Sequence, residues 1–548
     1  MRLYAPKYFP ITCNGSEMPN PNRGTQSADA STAAIHGSAT PPVAKQAVVV
    51  IHGMGEQRPM DTLKSFVEAI WKTDTVITAN GLPHQTQVWS KPDQRTGSLE
   101  LRRITTRESI PSPQFPGGVR TDFYELYWAD LTAGSTWDAV TGWVALLLLR
   151  PLRRVPPDVR LAWFFLWIAA LVVLGVAGAS LVPSEWWKGM GVPWLSDWHW
   201  LLLAIAAGLG TGLHKVAAAY FGRVVRYTRA DPDNIAARAA VRERGLKLLR
   251  ALHEGDYYKR IVIVAHSLGT ILAYDLISYF WAERENARKI RENTPEFAAL
   301  CALETAAARV YADPSEAELK QYYGAQRELR VALASRPAPP AVNPSGQPLL
   351  DPRWLITDLV TLGSPLAHAE FLLAVSKCDL EKRKFARELP ASPPFREDLD
   401  PKVFARACAT HALPVGATAD TSKLISFPSP GAGNEWELHH AAPFAAVRWT
   451  NIYDPTMLVF CGDLIGGPLA RVFGPAIIDV DLKKLRGQSY SFTHTKYWEP
   501  DSELKHIAAL RAAVNLLDDL PSIDRTSNST SSASQSPPMP KRKRPPET

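Results

Sequence analysis

Apolar runs and polar breaks divide this chain into short strands and longer helices. Residues 47–51 (AVVVI) and 261–265 (IVIVA) are unbroken apolar runs, closed by His-Gly and His-Ser. Strands covered on both faces of a parallel sheet have this pattern. Residues 122–128 (DFYELYW) alternate as a strand does, and 356–362 (ITDLVTL) and 446–453 (AVRWTNIY) add two more. Helical periodicity predicts helices over 62–71, over 235–253, from Thr270 onward and over 503–517. Strands alternating with helices predict an α/β fold, a mostly parallel sheet with helices on both faces. Two stretches interrupt it. Residues 282–335 are rich in Ala, Glu and Arg and read as helical, leading into a Pro-rich linker at 336–348. Residues 376–443 are punctuated by proline and read as irregular.

A different pattern occupies the middle. Residues 161–184 (LAWFFLWIAALVVLGVAGASLVPS) contain no charged residue. About 20 such residues in a helix cross the roughly 30 Å hydrocarbon core of a bilayer. A second run, 198–213 (WHWLLLAIAAGLGTGL), continues past Lys215, whose charge can snorkel to the interface. Trp186, Trp187, Trp194, Trp198 and Trp200 lie in or beside the connecting loop, as expected at a membrane–water boundary. These features predict a transmembrane helical hairpin. Arg150, Arg153, Arg154 and Arg160 precede it, and Lys215, Arg223, Arg226 and Arg229 follow its second run. The loop carries only Lys188, against Glu185 and Asp197. Basic flanks stay inside, so both flanks, and the domain they join, are expected on the cytoplasmic side. The shorter apolar run 139–149 reads as an interfacial helix leading into the first span.

Composition narrows this picture. Of 548 residues, 46% are hydrophobic, enough to bury a large core. Five cysteines, Cys13, Cys301, Cys378, Cys408 and Cys461, are scattered with no metal-ligand spacing, which argues against a disulfide framework or zinc site. There is no GxxxxGK loop and no HExxH, so no metal or organic cofactor is implied. Much of the net charge of +7 lies at the hairpin flanks and in the terminal KRKR, so it does not point to nucleic acid. Residues 14–42 and 521–548 are rich in Ser and Pro and read as unstructured, and no cleavable secretory signal is expected after Arg2. The expected organisation is a disordered segment at 1–45 and a first core portion at 46–135, then the membrane hairpin with its flanks at 136–230. Core with the nucleophile follows at 231–281, then a helical insertion and linker at 282–350 and a core strand at 351–375. A possible lid at 376–443, core with acid and histidine at 444–520 and a disordered tail at 521–548 complete it.

The chemistry centres on IVIVAHSLGT, residues 261–270. Ser267 falls between a buried strand and a helix, with small residues two positions away on either side, Ala265 and Gly269. Such a turn exposes the hydroxyl and leaves the next backbone N–H at a helix N-terminus. The usual pattern is G-x-S-x-G, and Ala265 stands where the first glycine would. VVVIHGMG, residues 48–55, ends a second strand in a Gly-containing loop, which would supply the second oxyanion donor. The two donors would be the backbone N–H groups of Met54 and Leu268. His52 reads as structural, shaping that loop.

On VVVIHGMGEQ, IVIVAHSLGT, LVTLGSPL, RWTNIYDP, GDLIGGP and FTHTKYW, the chain resembles the α/β-hydrolases of lipase/esterase type, related to membrane-associated GPI-inositol-deacylase-like lipases. The resembling segments run from roughly residue 46 to 515 with long gaps. The resemblance implies an α/β-hydrolase fold and a serine–acid–histidine order. His368, His411, His439, His440, His494 and His506 follow the serine. Of these, His494 sits after the recognised strands and before the last helix, where the base of such enzymes lies. Asp463, in the Gly-rich loop CGDLIGGP, is the favoured acid, and Asp454, at the end of the preceding strand, is the alternative. Asp358 reads as structural. Ser364 is not a nucleophile elbow, because Pro365 lacks the N–H an oxyanion needs. The expectation is a membrane-anchored serine hydrolase that cleaves a lipid or other amphiphilic ester, without cofactor, metal or nucleic-acid partner. A catalytically inactive membrane scaffold of the same fold, binding partners, is the alternative.

Overall fold

A computed structural model describes residues 41–53, 58–78, 86–132, 151–152, 155, 160–191, 232–338, 351–374, 376–398, 423–429, 434–456, 462–463, 465–487, 491, 493–499 and 504–519, with isolated positions between 201 and 211. Apart from Pro41, all of these belong to one compact unit, Pro42–Thr548. The expected C-terminal tail, nearly all of the N-terminal one, the 139–149 run and most of the second apolar run lie outside the described residues.

The architecture is α/β. Its strands are β1 (Ala44–Ile51), β2 (Val88–Pro92), β3 (Arg102–Glu108), β4 (Val119–Leu126), β5 (Arg260–His266), β6 (Ile356–Leu362), β7 (Arg448–Tyr453) and β8 (Ile478–Asp481). They form one eight-stranded sheet in the order β8-β7-β6-β5-β1-β4-β3-β2. The pairs from β8 to β4 are all parallel, and the hairpin β2–β3 adds antiparallel at the edge. In the centre, Ile51 lies opposite both Leu126 and Ala265, and His266 opposite Leu362. The parallel strands therefore end at one common edge.

The unbroken apolar runs follow from burial on two faces. Val49, Ile51, Ile261 and Ile263 point into one core layer, whereas Val48, Val50, Val262 and Val264 point into the other. The first layer is covered by α3 (Pro232–His253), α4 (Gly269–Glu283), α5 (Pro295–Ala312) and α6 (Glu316–Ala334). The second is covered by α1 (Asp61–Val67) and α7 (Lys505–Val514). The predicted helix 62–71 continues beyond α1 as one wider turn, Glu68–Lys72, and that predicted over 503–517 is the shorter α7. The strand read at 122–128 starts earlier and stops at Leu126, because Trp128 turns away to stack on the His52 ring 5.4 Å off. The strand read at 446–453 begins only at Arg448, after a 3-10 turn at Pro443–Ala445.

The two insertions are joined. Lys289–Arg291 from the first and Ser426–Pro428 and Glu435–Leu438 from the second make a three-stranded antiparallel sheet. Buried Glu304 on α5 binds the backbone N–H groups of Ile425 and Ser426. Residues 282–335 are thus not purely helical, and the described part of 376–443 holds a helix at Lys377–Phe385 as well as these strands.

Helix α2 (Arg160–Leu181) is continuous over 22 residues and has no acidic or basic residue after Arg160. Phe164, Ile168, Leu171, Val172 and Leu174 are exposed along it. Among the described residues no helix is long and apolar enough to cross a membrane, the side chains at 161, 162, 165, 166 and 180 of α2 lying outside them.

Candidate active site

Ser267 is the first residue beyond β5. Its backbone φ is 53°, a left-handed conformation that a non-glycine residue adopts only when its surroundings hold it. Its N–H bonds to the Leu362 carbonyl at 2.9 Å, and its own carbonyl accepts from the Thr270 N–H at 3.0 Å and hydroxyl at 2.7 Å. The serine is thereby pinned between the end of β6 and the first turn of α4. Among the described residues the Leu268 N–H donates to no backbone carbonyl, so it is free at the helix N-terminus.

Three predicted residues meet at the carboxyl edge of the sheet. His494 Nε2 lies 2.8 Å from Ser267 Oγ, and its Nδ1 lies 2.9 Å from Asp463 Oδ1. All three side chains are buried. Asp463 is gripped further: Oδ1 accepts from the Ile465 and Gly466 N–H groups at 2.8 and 3.0 Å, and Oδ2 from the Tyr497 hydroxyl at 2.5 Å. Burial pushes the Asp463 carboxyl up. The adjacent His494 and the donors on the carboxylate outweigh it and hold the carboxyl down at about 2. The acid is therefore an anion throughout the neutral range. Burial and the neighbouring carboxylate both push the Tyr497 phenol well above its usual value, so it remains a neutral donor.

Asp454 sits beside this arrangement, not in it. Its carboxylate binds Arg486 at 2.8 Å and the Thr493 hydroxyl at 2.7 Å. Its carbonyl accepts the Asp463 N–H at 3.0 Å. Gly462 exchanges backbone hydrogen bonds with Ser491 and Thr493. Asp454 thus fixes the loops that carry Asp463 and His494, through the Asp463 N–H and the Thr493 hydroxyl.

The other candidates lie elsewhere. His439 donates to the Phe395 carbonyl and His506 to the Glu499 carbonyl, while His411 lies outside the described residues. His52 donates Nδ1–H to the Gly53 carbonyl and accepts the Trp128 N–H at Nε2, which fixes the loop entrance. Ser364 shares a hydrogen bond with Thr270. Asp358 binds Arg260, Arg330 and Arg448 in a buried cluster remote from the serine in sequence and bonding. Met54, the second expected oxyanion donor, lies outside the described residues. Gly53 just before it passes so close that a Cβ there would meet Ser267 Cβ at 2.7 Å.

Two contributors escaped sequence reasoning. His266 donates Nε2–H to the His494 carbonyl at 2.6 Å, tying the His494 loop to the strand that leads into Ser267. Burial, with His494 alongside, pushes its imidazole down to about 3, so it stays neutral. Gly363 has φ 56°, and a Cβ there would lie 2.5 Å from Asp463 Oδ2 and 3.1 Å from His494 Nδ1. Only a residue without a side chain lets Asp463 and His494 meet. A Gly after a buried strand was visible in LGSP, but nothing in sequence says what it faces. Among the described residues no cluster of His, Cys, Asp and Glu could hold a metal ion. The chain matches no protein-family model, no curated protein and no solved structure.

Proposed function

We propose that this protein is a membrane-anchored serine hydrolase of α/β-hydrolase type that cleaves an ester by acyl transfer. The observation that carries the reading is the hydrogen-bonded relay from Ser267 through His494 to Asp463, mounted on a serine held at positive φ. Ser267 Oγ attacks the ester carbonyl as His494 Nε2 takes its proton. Asp463 holds Nδ1–H and stabilises the imidazolium that forms. The Leu268 N–H, and from sequence that of Met54, would bind the oxyanion. Collapse expels the alcohol, which takes the proton from His494. Water activated by the same histidine then releases the acid and frees Ser267.

Membrane placement is supported by the apolar surface of α2, by the charge-free sequence of both runs and by strand polarity. The chain leaves for residues 133–231 after β4, whose carboxyl end lies at the same edge as that of β5 and hence Ser267. β4 and β5 both pair with β1, so the chain must return to the side it left, which an even number of crossings satisfies. A bilayer on the site's side favours a lipid or other amphiphilic ester as substrate.

Labelling of detergent-solubilised full-length protein with a fluorophosphonate probe tests the catalytic reading. Wild type should label covalently and Ser267→Ala should not. Equal labelling of a folded Ser267→Ala variant would remove the assignment.

A further inference from the structure

We infer that Tyr497 is a positioning residue that sets the basicity of His494 through the second oxygen of Asp463; this rests on the triad reading. His494 and Tyr497 leave the same turn, closed by the Lys496 N–H to the Thr493 carbonyl at 2.9 Å. Both side chains reach one carboxylate, Nδ1 to Oδ1 at 2.9 Å and the phenol to Oδ2 at 2.5 Å. Gly363 is the seat for this arrangement: a Cβ there would meet the Tyr497 ring at 2.7 Å as well as Asp463 Oδ2. The tyrosine is buried, so its hydroxyl has no solvent role to explain it.

The chemistry follows from charge sharing. A donor on Oδ2 withdraws negative charge from the carboxylate, which weakens its hold on the imidazolium proton. Among the described residues, the titratable groups facing the pair are few. His266 comes from β5 and is neutral, with His52 behind it. Asp454 comes from the end of β7, already paired with Arg486. Tyr497 is thus the neighbour whose removal changes the charge on Asp463 without changing the net charge of the site. Without it, Asp463 should hold the histidine's proton more firmly, and His494 should stay protonated to higher pH.

The test uses full-length protein in detergent. Second-order rates of fluorophosphonate labelling are measured against pH for wild type, Ser267→Ala and Tyr497→Phe, each checked for a cooperative melt. Tyr497→Phe keeps the ring and removes only the donor. Its rate at the optimum should fall about tenfold, the lower end of what one hydrogen bond to a charged group is worth. Its acid limb should move up by about half a pH unit. A slower variant with an unmoved limb, or a wild-type profile, overturns the inference while Ser267 labelling survives. Wild type that labels no better than Ser267→Ala overturns the triad reading instead. If Tyr497→Phe does not fold, 3-fluorotyrosine placed at 497 keeps the hydroxyl and strengthens it as a donor. The acid limb must then move to lower pH, and an unmoved limb overturns the inference.

Discussion

Replacing Asp463 by asparagine separates catalysis from architecture at this site. The amide nearly matches the carboxylate in shape but presents an NH2 group, two N–H donors, where the carboxylate only accepts. Asp463 now receives donors from His494, Tyr497, Ile465 and Gly466, so a donor of its own has nowhere to point. If it faces Nδ1, it forces the proton onto Nε2, and the histidine can no longer accept from Ser267. Where such a triad has been measured, the wrong tautomer costs roughly 10⁴ in kcat. A loss of that order is expected here.

Asp454→Asn serves as the counterpart. It removes the charge opposite Arg486, whose side chain is largely buried, and breaking a buried pair costs about 3–5 kcal/mol. Stability should fall, while the folded fraction keeps its relay and reacts within about tenfold of wild type. The assay is turnover of a short chromogenic ester, corrected for folded fraction from melting curves. A linked stability effect gives a second readout. The Asp463 carboxyl falls from 3.8 in the unfolded chain to about 2 in the fold. Its contribution, about 2 kcal/mol, is present above pH 3.8 and is lost as pH falls towards 2. That part of acid destabilisation should vanish in Asp463→Asn. Near-wild-type turnover in Asp463→Asn, with collapse in folded Asp454→Asn, would reverse the roles and refute the reasoning.

Gly363→Ala should abolish probe labelling, since its Cβ meets Asp463 and Tyr497 and its φ of 56° strains alanine; labelling at the wild-type rate would show that the turn relaxes at no cost. Asp358→Asn should destabilise the protein by about 3–5 kcal/mol without touching the site, because Arg260, Arg330 and Arg448 then share buried space with too little negative charge; thermal melting measures it. The arginines around Asp358 hold its carboxyl well below the usual range despite burial, so this contribution too is present above the unfolded value and fades on acidification. For the membrane proposal, cysteine at Ser184 should react with an impermeant maleimide outside intact cells and cysteine at Ala230 only after lysis; the reverse pattern, or release of the protein by alkaline carbonate, would overturn it.

Much of the fold was legible because burial on both faces leaves no polar position. The AVVVI and IVIVA runs placed the two central strands, and the Ser267 turn followed from the small residues beside it. The edge hairpin was not legible: β2 reads VWSKP, mostly exposed, with too little apolar periodicity to announce a strand. Nor were the three- and four-residue strands that join the insertions, since a run that short carries no period. Within the site, the turn flanked by small residues pointed to Ser267, and the serine–acid–histidine order implied by the resemblance pointed to His494 and to Asp463, with Asp454 as the alternative acid. Choosing between Asp463 and Asp454 needed distances, because both sit in polar loops after one strand and differ only in whether His494 or Arg486 faces them. Nothing in the sequence around His266, Tyr497 or Gly363 marked them as contributors to the site. Their roles come from contacts across sequence separations of 228, 34 and about 100 residues. The same holds for Arg260, a charge at a strand's start that the fold brings against buried Asp358. Periodicity reports which face of an element is buried; only the folded chain decides which polar groups are buried together.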